Sequence, residues 1–398
     1  MAELLSLSKA QRLILERVRP LPAEPAALAE AAGRVLAEPA VAVVDLPPFP
    51  SSAMDGYAIR AADTPGTLPV VARIAAGRPA PRALEPGETM GIATGGVVPD
   101  GADAVIPIEY VVARDNNIEI SEPVDPGANV RPRGGDLRAG SSVVDPGLVL
   151  TPARVGALAA AGVAEVRCAR RPRAAVLPTG TELRRAGEPL APGEVYEANG
   201  LILAAQLSGA GADVELLAAV GDDEEEHRAA LERALDADVA VTSGGVSVGP
   251  HDLVRRVEAE LGVEEVFWRV AVKPGKPIAF GVRGRSLVFG LPGNPVSALV
   301  GFELFVRPAI RALLGVPEPL PRFERGTLVG GARRRNPERD EFVRARIRRG
   351  GDGVALEPLS GQESHMIASA AAADALVFVP RGEGEVAVGS PVEFLRLG

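Results

Sequence analysis

DVAVTSGGVSVGPHD, residues 238–252, is a buried-type strand that runs straight into a glycine-rich turn. Val239, Ala240 and Val241 form an unbroken apolar run, the pattern of a strand covered on both faces. Ser243, Gly244 and Gly245 follow at its carboxyl end, then Ser247 and Gly249. Glycine lets a backbone pass close to a ligand, and free N–H groups in such a turn suit an anion. Asp252 closes the turn, and a helix is expected over 252–261. Strand, glycine-rich turn and helix in that order predict an α/β sheet whose ligands bind beyond the strand ends.

Outward from this stretch, strands are expected at 173–177, 214–220, 266–272, 278–282 and 287–289. Helices are expected at 201–207, with Asn199 near the cap, at 223–235, and from Asn294 onward. The alternation predicts a three-layer α/β domain over 172–317 with a mainly parallel sheet. Two more strand ends carry unusual turns. Lys273-Pro274-Gly275-Lys276 follows one, and Gly290-Leu291-Pro292-Gly293-Asn294-Pro295-Val296-Ser297 follows the other and opens a helix. The chain has three lysines, Lys9, Lys273 and Lys276, so two ammonium groups in one short turn point to an oxyanion. Ser243, Ser247 and Ser297 add hydroxyl donors. Three such turns on one sheet edge predict a polyanion site.

Carboxylates form a second set. Glu182 ends Thr179-Gly180-Thr181-Glu182 after a strand, Asp222 follows another, and Asp252 ends the glycine-rich turn. Carboxylates beside a phosphate site suit Mg²⁺, a hard cation bound through oxygen. Asp222 and Asp252 also fit plain helix caps, whereas Glu182 has no such structural task.

The rest of the chain differs in character. Helices are expected at 7–19, 24–38 and 151–161, the last with Thr151 as N-cap and Pro152 at the first helical position. Residues 46–136 are rich in Gly, Pro and short β-branched runs, which predicts an all-β segment. Residues 318–398 read as β again. The expected organisation is a discontinuous helical and mixed domain (1–45 plus 137–171), an inserted β domain (46–136), the α/β domain (172–317) and a C-terminal barrel-like β domain (318–398). Two turns in the first half each display one carboxylate: Asp55 within 51–58 and Asp136 within 131–136. Each alone also reads as a surface turn.

Bulk properties narrow the function. The net charge of −9 argues against a nucleic-acid binder, which needs a basic surplus to displace counterions. No Cys/His set has zinc spacing, and the lone Cys168 fits a reducing cytoplasm. The first twenty residues interrupt their apolar positions with charges, unlike a signal peptide, and no uncharged apolar run reaches the ~18 residues of a membrane span.

Taken together, AMDGYA (53–58), ATGG (93–96) with GADAV (101–105), RGGD (133–136), PTGTEL (178–183), SGGVSVG (243–249) with His251-Asp252, KPGKP (273–277), GLPGNPVSA (290–298) and GQESHM (361–366) resemble the molybdopterin molybdenumtransferases. The C-terminal domain of gephyrin belongs to the same family. The resemblance covers roughly residues 40–370. It implies an enzyme that inserts molybdate into adenylated molybdopterin with release of AMP, using Mg²⁺. It also implies a four-domain homodimer whose active site lies between the α/β domain of one subunit and the β domain of the other. Other cofactor-assembly proteins are implied partners; nucleic acid and membrane are not. The family's functional positions fall on Asp55, Thr94, Asp136, Glu182, Asp222, Asp252, Lys273, Arg344 and Ser364, with Lys276 beside them. Pro292, Gly293 and Asn294 join Gly244, Gly245 and Gly249 as substrate-binding positions. Arg269 stands where relatives often carry lysine, and Ser51 where they often carry asparagine. Of the histidines, His365 beside Ser364 is a stronger ligand contact than His251. Two rival readings are a molybdopterin adenylyltransferase, against which AMDGYA and RGGD argue, and a non-catalytic gephyrin-like scaffold, against which the intact acidic positions argue.

Overall fold

The computed structural model describes residues 4–245, 253–333, 337–350 and 353–397. These form two compact units, Met1–Glu24 with Ala169–Gly398, and Pro25–Cys168. Among the described residues no helix is long and apolar enough to cross a membrane.

The first unit is built on a six-stranded sheet in the order Asp213–Leu216, Arg173–Pro178, Val239–Ser243, Ser286–Leu291, Ala279–Arg283, Glu264–Trp268. The first four strands are parallel. Ala174 to Pro178 and Val239 to Ser243 are buried at every position, as strands covered on both faces must be. Leu177 packs with Leu231 and Val257, and Ala175 and Ala240 with Ala234 and Leu235, so helices Glu224–Ala234 and Leu253–Glu260 cover one face. Helices Asn199–Gly209 and Pro295–Gly301 pack against each other and against the sheet.

The last two strands run antiparallel to their neighbours, Ala279–Arg283 against Ser286–Leu291 and Glu264–Trp268 against Ala279–Arg283. A parallel pair needs a crossover of a dozen or more residues, and only Gly284-Arg285 separates these two strands. Gly284 takes φ +59, which a two-residue hairpin turn requires. The strand expected over 266–272 ends at Trp268, because Arg269 adopts φ +74. The chain then leaves the sheet, and Val272–Lys273 pairs with Asp340–Gly350 instead.

That second pairing joins the C-terminal region. Asp340–Gly350 pairs with Gly353–Pro358 and Ala375–Val379; Glu324–Leu328 pairs with Gly353–Pro358 and Pro391–Arg396; and the last pairs with Ala375–Val379. Every strand has two neighbours, so five strands close a barrel around Leu328, Leu356, Val377 and Phe394.

At the other end, Leu7–Arg17 is a helix capped by the Ser6 hydroxyl, and the Gln11 side chain donates to the Leu304 carbonyl at 3.0 Å. Residues 1–24, expected with 137–171, thus cluster with the α/β sheet. The helix expected over 24–38 does not form. Ala23–Ala27 pairs as a strand with Glu165–Ala169, and a single turn at Leu28–Glu30 follows. Pro25 has no N–H to give a helix, and Gly33 at φ +78 stops one from continuing. Helix Pro152–Ala160 does form, capped by the Thr151 hydroxyl on the Arg154 amide.

The unit Pro25–Cys168 carries a six-stranded sheet, Ala104–Pro107, Gly56–Ile59, Thr89–Ile92, Gly66–Ile74, Asn117–Ile120, Val112–Arg114. One side buries Tyr57, Ile59, Leu68 and Ile118, the other Ala58, Ile74, Met90 and Val105. The alternation of 57 and 59 against 58 is the two-residue period of a sheet with cores on both faces.

Candidate active site

Strand register brings the carboxyl ends of Arg173–Pro178, Val239–Ser243, Ser286–Leu291 and Glu264–Trp268 to one edge, together with the amino end of the antiparallel strand Ala279–Arg283. Leu177 pairs with Thr242, Thr242 with Gly290, Gly290 with Ala279 and Ala279 with Trp268. Beyond that edge lies a cavity of about 750 Å³, within the size of small-molecule sites. Its wall includes Thr179, Glu182, Asp222, Ser243, Gly244, Gly245, Pro292, Gly293 and Asn294.

The two glycine-rich turns touch. A Cβ on Gly293 would sit 3.6 Å from the Gly244 Cα, and one on Gly244 would sit 2.5 Å from the Thr179 carbonyl oxygen. Gly244 also has φ +97, so only glycine fits there without strain. Asn199 locks the pair: its Nδ2 donates to Ser243 Oγ at 2.8 Å and to the Gly293 carbonyl at 2.7 Å. Ser297 is buried beneath the turn at 3% exposure rather than lining the cavity.

Glu182 folds back over Gly180, where an added Cβ would meet its carboxylate at 2.6 Å. Asp222 lines the same cavity. It is not the helix cap, since Asp223 accepts from the Glu226 amide at 2.9 Å and fills that role. Among the described residues of the wall there is no lysine or arginine. Ser247, Gly249, His251 and Asp252 lie outside the described residues.

Known proteins match this chain over most of its length. Residues 5–162 match the MoeA N-terminal region (domain I and II), 175–312 the probable molybdopterin binding domain, and 313–397 the MoeA C-terminal region (domain IV). A Mycobacterium tuberculosis protein named molybdopterin molybdenumtransferase 2 is 38% identical over 404 residues, 98% of both chains. A Haemophilus influenzae molybdopterin molybdenumtransferase is 39% identical over 317 residues, 78% of both chains. The crystal structure of a molybdopterin biosynthesis moeA protein from Pyrococcus horikoshii aligns with TM-score 0.82 at 31% identity over 99% of both chains. The chain belongs to the molybdopterin molybdenumtransferase family.

In this chain the lysine turn departs from expectation. Its far end, Pro277, lines the large cavity, but Lys273 does not. The Lys273 ammonium pairs with Glu341, a carboxylate 5% exposed, and both line a separate cavity of about 190 Å³ with Pro274 and Gln362. The pairing of Val272–Lys273 with the C-terminal barrel draws the side chain there. Lys276 is exposed and lines neither cavity. Arg269 also stands apart: its guanidinium lies over the Trp268 ring at 3.7 Å, as does that of Arg255 at 4.1 Å.

Arg344, expected to touch substrate, is 1% exposed and donates to the carbonyls of Gly361, Glu363 and Met366 at 2.6, 3.1 and 2.9 Å. It shapes the 361–366 turn. The Ser364 carbonyl of that turn accepts from the Val296 amide at 3.0 Å, and the neighbouring His365 lines the large cavity.

In the unit Pro25–Cys168, Asp55 and Thr94 meet: an Asp55 carboxylate oxygen accepts from the Thr94 amide at 2.7 Å and hydroxyl at 3.1 Å. Ser51 pairs across strands with Arg131, and the Asp136 amide donates to the Leu46 carbonyl at 2.9 Å. The two carboxylate-bearing turns therefore belong to one side-by-side arrangement. Asn199, Thr179 and His227 line the large cavity without having been assigned from sequence as site residues. Asn199 carried one signal, its place at the start of an apolar helix beyond a strand.

Proposed function

We infer that the chain inserts molybdate into adenylated molybdopterin, releasing AMP. The observation that carries this is the cavity at the sheet edge, where touching glycine turns and two carboxylates line one space. Backbone amides of such turns suit phosphate oxygens.

Among the described residues no three carboxylate, imidazole or thiol groups lie close enough to hold a metal alone. Glu182 and Asp222 on one cavity fit Mg²⁺ in its usual mode with nucleotides, one or two carboxylates plus phosphate oxygens and retained water. When bound, it supplies charge neutralisation to the phosphoanhydride. Asn199 keeps the Ser243 and Gly293 turns in register. The Gly244 turn admits the phosphates at backbone distance. Glu182 is exposed and free to exchange a proton as molybdate loses oxo groups.

Asp55, Thr94 and Asp136 belong to the same reaction through a homodimer, in which Asp55 of the partner subunit completes the cavity. This follows the family resemblance. Lys273, Lys276, Arg344 and Ser364 are positions that the family resemblance assigns to the same reaction. The single buried cysteine supports a cytoplasmic, reducing setting.

The test is turnover. Purified protein given adenylated molybdopterin, molybdate and Mg²⁺ releases AMP in step with active cofactor. Absence of AMP across a range of molybdate and Mg²⁺ concentrations contradicts the reading. Consumption of ATP with formation of adenylated pterin points to the adenylyltransferase instead.

A further inference from the structure

His227 lies in the first turns of helix Glu224–Ala234 and has no part in the chemistry above. It lines the large cavity and is 2% exposed. Its Nδ1 lies 3.4 Å from the Gly221 carbonyl oxygen. A carbonyl only accepts, so Nδ1 is the donor in this contact, and in that tautomer Nε2 is the acceptor. That Nε2 is buried with no hydrogen-bond partner. Buried polar atoms are normally paired, so an orphan on a cavity wall asks for a partner from what the cavity binds.

The nearby wall cannot serve. Carboxylate oxygens such as those of Glu182 and Asp222 accept, and Leu253 and Val254 are apolar. Phosphate and molybdate oxygens are acceptors as well, so the anionic parts of the substrate are the wrong partner. A hydroxyl or amino group is the right one, and a nucleotide carries both.

We propose that His227 Nε2 accepts a hydrogen bond from a hydroxyl or amino group of the bound nucleotide, making His227 a recognition residue for the nucleoside part of the substrate. This rests on reading the cavity as the adenylate site. It separates two tasks along one wall: glycine turns for phosphate, and His227 for the uncharged donor.

Asparagine at 227 keeps a donor near the position of Nδ1, toward Gly221, but lacks Nε2. Glutamine places an amide near Nε2. Calorimetric titration of the full chain with AMP is expected to show affinity about tenfold weaker in His227→Asn than in wild type, and partly regained in His227→Gln. The same titrations with 2′-deoxy-AMP and inosine monophosphate identify the donor: the analogue that binds wild type and His227→Asn alike is the one that has lost it. A second measurement needs no variant. With three histidines in the chain, the ¹⁵N resonance of His227 Nε2 is assignable and is expected to shift on AMP addition. Equal AMP affinity in wild type and His227→Asn, or an unmoved Nε2 resonance at saturation, overturns the proposal while leaving the cavity's role intact. Failure of wild type to bind AMP removes the adenylate reading of the cavity and this inference with it.

Discussion

Asn199 is the residue on which the cavity's shape most depends, because one amide group ties Ser243 and Gly293 together at 2.8 and 2.7 Å. Asn199→Ala is expected to lower kcat/KM by about tenfold to a hundredfold, the usual consequence of small misplacement at a site. Steady-state AMP release with a thermal melt checks this; an unchanged rate removes Asn199 from the account. Asp238 is a different case, at the opposite end of its strand. Burial raises its pKa, but this is outweighed by two hydrogen bonds from Arg170 at 2.9 Å and one from the Arg173 amide at 2.7 Å, so the carboxyl titrates below its ordinary value. A depressed folded pKa stabilises above the unfolded value of 3.8 and stops doing so as pH falls through the folded value. Asp238→Asn is therefore expected to cost about 2 kcal/mol at neutral pH. The gap from wild type should close on acidification below 3.8, as read by urea melts across pH. Residue-scale roles were partly legible. Glu182 stood out because nothing structural required it. The pairing of Lys273 with Glu341 was not legible, because Glu341 lies about seventy residues on, in a strand that Val272–Lys273 leaves the α/β sheet to join, and no local pattern announces such a pairing.

Elements were legible where periodicity and turn chemistry agree. Val239–Ser243 and Glu224–Ala234 follow their apolar spacing closely. The 24–38 segment failed because its alanines suit a helix locally, while Pro25 and pairing with Glu165–Ala169 decide otherwise. The antiparallel edge of the main sheet was readable in principle from the two residues between Arg283 and Ser286. The 361–366 turn was quotable from sequence, but its dependence on Arg344 was not. Arg344→Ala leaves the carbonyls of Gly361, Glu363 and Met366 without that donor and is expected to cost about 3 kcal/mol. Hydrogen exchange checks it: amides of 359–367 should lose protection well before those of Val239–Ser243. Uniform protection across both would assign Arg344 a role outside the turn.

At the scale of the molecule, the chain places Asp55 and Thr94 in one compact unit and Glu182 and Asp222 in the other. Sequence order hinted at this, since the two sets of motifs are separated by a change from β to α/β pattern. The proposed homodimer gives a sharp expectation. Asp55→Asn and Glu182→Gln are each inactive alone. Mixed after unfolding and refolding together, they should recover roughly a quarter of wild-type activity, because half the dimers then hold one intact site. No recovery would place both residues in a single subunit's site.

The central claim is that the sheet-edge cavity holds the adenylate. The most direct measurement is a crystal structure of the chain soaked with AMP. The account predicts the phosphate against the Gly244 and Gly293 turns, with the nucleoside extending toward His227. A phosphate seated instead in the smaller cavity beside Lys273 and Glu341 would contradict it.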